Sequence, residues 1–229
     1  MSPDYSVTYV AGPYPEASPA QRLRRRPHLR YPAVPLSTDS LMERRGVSFP
    51  RDLRWRREAQ WRNGEIPARW RDWLFDRASL TRRLQRLYRS PVRVRLVSQG
   101  PGRPLRWERS ALGLRPGCRC LIRRVYLTCG GAPRVYARTV VPPASLKGPT
   151  RRLKRAGGRP LGEWLFSGAC TDRGVLEAAC VRPTDELYRE IGSGASFAPI
   201  HLWGRRSVFR VRGRALLVSE FFLPLPPAG

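Results

Sequence analysis

Histidine and lysine are nearly absent from this 229-residue chain: His28 and His201 are its only histidines, Lys147 and Lys154 its only lysines. Its five cysteines include a Cys118-x-Cys120 pair but no C-x-x-C. A structural zinc site therefore lacks its usual ligand spacing. The odd cysteine count and the missing basic-then-apolar leader argue against a disulfide framework and against secretion. Reduced thiols in a cytoplasmic protein are the expectation. No apolar run reaches the roughly 18 residues that span a bilayer, so membrane insertion is not expected.

Acidic residues are also scarce, 17 against 44 basic ones, which leaves a net charge of +27. Such an excess first suggests nucleic acid. The arginines, however, are spread along the chain rather than gathered in a stripe, and no RNA-binding or helix-turn-helix signature accompanies them. Arginine in place of lysine, with abundant Ala, Gly and Pro, also suits GC-rich coding sequence. The expectation is no nucleic acid partner, and a field that attracts small anions.

What is present is enough for one globular domain: 41% hydrophobic and 10% aromatic residues. Residues 1–50 read as a disordered Pro- and Arg-rich extension (PYPEASPA, RLRRRPHLR), and residues 51–229 as the domain. Met42 stands just before it and is a possible translation start; an intact mass that includes residues 1–41 would exclude this. Within the domain, Ile66, Trp70, Trp73 and Leu74 have helical spacing behind Pro67. Ser79 can cap a second helix carrying Leu80, Leu84 and Leu87. The nearby Trp61, Trp70 and Trp73 read as core.

Strand patterns follow. Val92 to Val97 alternate with period two, and CLIRRVYLT (120–128) and RVYARTVV (134–141) flank a Gly130-Gly131 hairpin turn. A helix is expected from Thr150 to Ala156, ended by Gly157-Gly158, and a short one in PLGEWLF. Residues 167–201 are less regular, with one helix in PTDELYREIG. SVFRVRG and RALLVSEFF close the chain as two strands joined at Gly213. The fold class implied is α+β, a single antiparallel sheet with helices before and between its strands.

Two charges sit where the pattern is apolar. LLVSEFFLP (216–224) is apolar on both strand faces except for Glu220, which shares one face with Leu216, Val218 and Phe222. An ionised carboxylate there costs several kcal/mol, an order-of-magnitude figure, unless it is paired or protonated. Arg123 likewise shares its face with Leu121, Val125 and Leu127. Either it meets an anionic ligand, for which its planar fork is suited, or it pairs with Glu220 in a buried salt bridge. Both readings stand at this level.

Five stretches in order, SLTRRL (79–84), RTVVP (138–142), PLGEWLF (160–166), LWGRRS (202–207) and LLVSEFFLP, resemble the chorismate pyruvate-lyase family over about residues 53–226. The resemblance implies removal of pyruvate from chorismate to leave 4-hydroxybenzoate for ubiquinone synthesis, without a metal or organic cofactor. It implies an antiparallel sheet with a closed internal site under two helical flaps. It assigns catalytic and substrate-binding roles to Arg123 and Glu220. Main-chain ligand contacts are assigned to Leu80 and Leu161, which by themselves read as core. Arg123 is then expected to hold the ring carboxylate. Glu220, its pKa raised by burial, is expected to act on the ether oxygen through which pyruvate departs. Arg205 and Arg206 are expected to be structural. The connection from PLGEWLF to LWGRRS looks longer than a compact member needs. A non-catalytic small-molecule sensor of the same fold is the alternative, although no winged helix-turn-helix pattern precedes the domain. A monomer is expected, because no heptad or long apolar edge is evident.

Overall fold

The computed structural model describes residues 53–161, 171–193 and 201–224. Residues 1–50, and with them the expected tail, lie outside this range, as does most of PLGEWLF. The strands are β1 (Arg56–Arg57), β2 (Val92–Gly102), β3 (Cys120–Cys129), β4 (Ala132–Val141), β5 (Thr171–Arg173), β6 (Glu177–Val181), β7 (Leu202–Val211) and β8 (Arg214–Phe222). They form one sheet in the order β1-β6-β7-β8-β4-β3-β2, with β5 pairing the far end of β7 beyond β6. Every pairing is antiparallel. The α+β architecture expected from the sequence is therefore the one observed.

Local chemistry explains the hairpins. Gly130 and Gly131 both take positive φ, 57° and 79°, the backbone that a two-residue turn with the twist of the flanking strands requires. The last hairpin turns at Arg212 and Gly213, also with positive φ. That tight turn sets the β7–β8 register, Val211 opposite Arg214 and so on down to Trp203 opposite Phe222.

Among the described residues four α-helices cover the sheet: α1 (Ala68–Phe75), α2 (Leu80–Tyr88), α3 (Arg106–Leu112) and α4 (Glu186–Gly192). α1 starts directly after Pro67, as its spacing predicts. Ser79 accepts a hydrogen bond from the Arg82 amide and caps α2. Leu80 and Leu84 are buried, but Leu87, expected on the same apolar face, is exposed. The expected helix at 150–156 is a 3-10 helix spanning Gly148–Arg155.

The two sheet faces differ. The rear face packs Tyr126, Tyr136, Leu217 and Phe221 against Trp107 of α3 and Leu187 and Ile191 of α4. A buried ion pair fixes α3 to it: Arg138 Nε and Nη2 donate to Glu108 Oε1 and Oε2 at 2.6 and 3.1 Å. The front face carries two separate apolar clusters. At one end Trp61, Trp70, Trp73, Leu80 and Leu84 pack with Phe222 and Trp203. The tryptophan trio is core, with Trp70 and Trp73 against the Phe222 ring. At the other end Val141, Leu153, Phe209, Val211 and Leu216 form the second cluster.

Two expectations need correction. α3 carries no recognised start signal in the sequence and was not expected. The stretch read as an overlong connection contributes β5 and β6 to the fold, besides the helix expected in PTDELYREIG, which is α4. Its strands are only three and five residues long, too short for a period-two pattern to register.

Candidate active site

Between the two front clusters the sheet face turns polar, and a cavity of about 50 Å³ lies over it. Its floor is Val94 of β2, Arg123, Val125 and Leu127 of β3, Ala137 and Thr139 of β4, Arg205 and Phe209 of β7, and Val218 and Glu220 of β8. Period-two alternation places all of these on one face. Ser79, Leu80 and Thr81 from the start of α2 line it from one side, and Pro160 and Leu161 from another. Arg173 of β5 completes the lining. All four residues to which the resemblance gives a site role, Leu80, Arg123, Leu161 and Glu220, thus meet in one cavity.

The charges are not paired as a simple salt bridge would have them. Glu220 does not pair with Arg123. Its Oε2 accepts from Arg205 Nε at 2.6 Å. The residues face each other across β7–β8, where Arg205 is the register partner of Glu220. Arg205 Nη1 also donates to the main-chain carbonyls of Trp73 and Asp76 at 2.9 and 2.8 Å. One guanidinium therefore ties the end of α1 to the site carboxylate. The sequence reading expected burial alone to govern Glu220. The structure puts a full positive charge against one of its oxygens.

Arg123 is only 4% exposed. Its Nε and Nη2 donate to the Gly157 carbonyl at 3.2 and 2.8 Å, and Nη2 also donates to the Arg159 carbonyl at 2.8 Å. Among the described residues no carboxylate forms a salt bridge with it. Burial accordingly pushes its pKa below the usual arginine value. Arg138 on the opposite face is buried too, but the paired Glu108 outweighs desolvation and its pKa is raised. The contrast separates an arginine whose charge a buried carboxylate balances from one whose charge no described carboxylate balances.

Leu80 and Thr81 occupy the first turn of α2, whose leading N–H groups have no carbonyl partner within the helix. Those donors, and the positive end of the helix, are features that favour an anion or a polar ligand atom. Leu161 follows Pro160 directly behind the segment held by Arg123.

Arg206, next to Arg205, points to the rear face. It donates to Glu177 Oε2 at 2.9 Å and to the Trp107 carbonyl at 3.0 Å, and lies over the rings of Trp55 and Trp107. It is structural, as expected. Arg205 is structural and also lines the cavity, which sequence reasoning missed. A signal was available: counting back from the turn at Gly213 pairs residue 205 with residue 220. Arg173 had no comparable signal, because its strand is three residues long.

A family model described as chorismate lyase matches residues 50–227. Among curated proteins, one from Methylococcus capsulatus named probable chorismate pyruvate-lyase is 43% identical over 152 residues, covering 66% of this chain and 93% of that one. Another of the same name from an Azoarcus species is 46% identical over 160 residues, covering 68% and 84%. A crystal structure of a GntR-family transcriptional regulator from Bacillus cereus superposes with a TM-score of 0.44 at 14% identity, over 58% of this chain and 92% of that one. That last likeness is too distant to bear on function.

Proposed function

The chain belongs to the chorismate lyase family, and from that premise we propose that it removes pyruvate from chorismate to give 4-hydroxybenzoate. The observation that carries the proposal is Arg123: a buried guanidinium without a described carboxylate partner, in the same cavity as an ion-paired carboxylate. A ligand carboxylate supplies the missing countercharge. No observation favours the sensor alternative.

Arg123 and Glu220 stand two strands and two residues apart in register, through Thr139 and Val218. Strand spacing and rise put their Cα atoms about 12 Å apart. Two inward-pointing side chains across that span leave room for one six-membered ring, held by its carboxylate at Arg123 and presenting its far carbon to Glu220. Main-chain N–H groups at Leu80 and Leu161 are the further ligand contacts in this reading.

The reaction breaks the C3–O ether bond, and its electron pair leaves with enolpyruvate. The proton on C4 departs, and the C–H pair becomes the double bond that completes the aromatic ring. That proton ends on the methylene carbon of enolpyruvate, giving pyruvate, so atoms and charge balance. A carboxylate already bound by Arg205 is a proton acceptor, so Glu220 takes the C4 proton or orients the C4 hydroxyl by accepting its hydrogen bond. Aromatisation supplies the driving force, and the protein supplies positioning.

Ligand and cavity wall compete for the same donors in this reading. Arg123 offers a coupling. Its present acceptors, Gly157 and Arg159, lead directly into Pro160 and Leu161, and a carboxylate that takes over these donors loosens that wall. Supplying the purified protein with chorismate and following pyruvate and 4-hydroxybenzoate together tests the proposal. Both should appear in equal amounts; a protein that releases neither refutes it.

A further inference from the structure

Five serines and threonines are buried among the described residues, and four of them are accounted for without a ligand. Ser145 donates to the Ala215 carbonyl at 2.6 Å, Thr150 donates to the Lys147 carbonyl at 2.7 Å, and Ser207 accepts from Arg173 Nε at 3.1 Å. Ser219 points to the rear face, where its hydroxyl is sealed inside the protein. Thr139 is the fifth. It is 3% exposed and lines the cavity, and its hydroxyl has no hydrogen-bond partner among the described residues. That oxygen is not sealed as Ser219 Oγ is, so it opens onto the cavity. A buried hydroxyl left unpaired costs about 1–3 kcal/mol, which a ligand atom in the cavity would relieve.

Strand register puts Thr139 beside the line from Arg123 to Glu220 along which the ring is laid above. Thr139 pairs with Arg123 on β3 and with Val218 on β8. Ala137, two residues away on β4, pairs with Val125 and with Glu220. The line therefore crosses β4 between Thr139 and Ala137, which lie about 7 Å apart. Thr139 and Val218 flank one edge of the ring, and Val125 and Ala137 flank the other. All four line the cavity, and of the four only Thr139 carries a hydrogen-bond donor. A polar substituent on the ring meets a hydroxyl along one edge and only methyl groups along the other.

Resting on the lyase reading of this cavity, we infer that Thr139 is a further catalytic residue, whose hydroxyl donates a hydrogen bond to the ether oxygen of chorismate. That oxygen is carried by C3, the neighbour of the carbon presented to Glu220, so it projects from one edge of the ring. As the C3–O bond breaks, its electron pair stays on the oxygen, which turns from a weak ether acceptor into a negatively charged enolate oxygen. The Thr139 proton stays on Thr139. The C4 proton still ends on the methylene carbon, so atoms and charge balance as before. A contact that strengthens only as the bond breaks raises turnover more than affinity. The ring product has no ether oxygen, so Thr139 contributes little to holding it.

The test compares the wild-type chain with Thr139→Val, which loses the hydroxyl, and Thr139→Ser, which keeps it. Two quantities are measured: the rate of pyruvate formation from chorismate in a single turnover with the protein in excess, and the Kd of 4-hydroxybenzoate. Thr139→Val should slow pyruvate formation at least about tenfold, and up to the roughly 10²–10³-fold that loss of one donor to a developing anion costs, with the Kd of 4-hydroxybenzoate within about threefold of wild type. Thr139→Ser should lie between the wild type and Thr139→Val in rate. If Thr139→Val does not fold, Thr139→Ala decides by the same split between rate and product affinity. A slowing of less than about tenfold overturns the inference. So does a Kd for 4-hydroxybenzoate that weakens in proportion to the rate, which would put the hydroxyl on the ring carboxylate instead. A wild-type chain that releases no pyruvate refutes the lyase reading itself. An active wild type with a near-normal Thr139→Val refutes only the role of Thr139.

Discussion

Replacing Arg123 by methionine should barely destabilise the fold while abolishing activity. In the folded chain Arg123 makes three main-chain hydrogen bonds, to Gly157 and Arg159. Bonds from a charged donor contribute about 1.5–3 kcal/mol each. Their acceptors, however, belong to a half-exposed or exposed stretch, where water can take the place of the guanidinium. Against them stands the cost of burying a cation without a described counter-ion, which is several kcal/mol, an order-of-magnitude figure. The two effects nearly cancel, and the net change should lie within about 1–2 kcal/mol of zero. Arg138→Met is the internal comparison. Arg138 and Glu108 are 1% and 0% exposed, and removing the arginine strands a fully buried carboxylate at a cost of about 3–5 kcal/mol. Urea unfolding followed by tryptophan fluorescence reads both variants, with the slope checked for two-state behaviour. Pyruvate release should fall at least about 100-fold in Arg123→Met. A loss of stability in Arg123→Met equal to that in Arg138→Met would show that Arg123 is a structural strut, and the anion-anchor reasoning would fail.

Glu220→Gln keeps a hydrogen-bond acceptor for Arg205 but loses the proton-accepting charge, so turnover should drop by about 10²–10⁴-fold with 4-hydroxybenzoate binding changed only a few-fold; full turnover in steady-state assays would sink the proton role. Gly204→Ala should lower the melting temperature, because the new Cβ would lie 2.5 and 2.7 Å from two carbons of the fully buried Phe221 ring, an overpacking worth about 1–3 kcal/mol. An unchanged melting curve would show that the ring has room to move. At Asp76 burial pushes the carboxyl pKa up, but the Ala78 amide at 2.7 Å and Arg83 at 3.0 Å outweigh it and hold the pKa below the ordinary aspartate value. Since the folded value is the lower one, the stabilisation is complete above about pH 4 and fades as the pH falls through the folded value. Asp76→Asn should therefore be less stable than wild type at neutral pH, with the gap closing in acid; a gap that stays constant between neutral and acid pH would contradict this.

The strands that build the floor were legible because each is long, alternates and ends in turn chemistry. CLIRRVYLT put Arg123 on the same face as Val125 and Leu127, and LLVSEFFLP put Glu220 with Val218. Those five residues do share the cavity. β5 and β6 escaped because strands of three and five residues show no period, and α3 because its N-cap is Leu105 rather than Ser, Thr, Asp or Asn, which leaves Glu108 as its one capping group. The Thr171–Arg173 strand thereby concealed an arginine of the site.

By itself the sequence determined which side chains share a sheet face, since alternation is a property of the local backbone. It also determined that Glu220 and Arg123 are charges in apolar company. It could not determine which charge meets which, because a pairing depends on the order of strands and on what lies over them. With β7 placed between β5 and β8, Arg205 stands opposite Glu220, and Arg123, two strands away, is left to the carbonyls of Gly157 and Arg159. Coulomb attraction and hydrogen bonding act over a few ångströms, so only the tertiary arrangement decides whether a buried charge is already neutralised or still needs an anion.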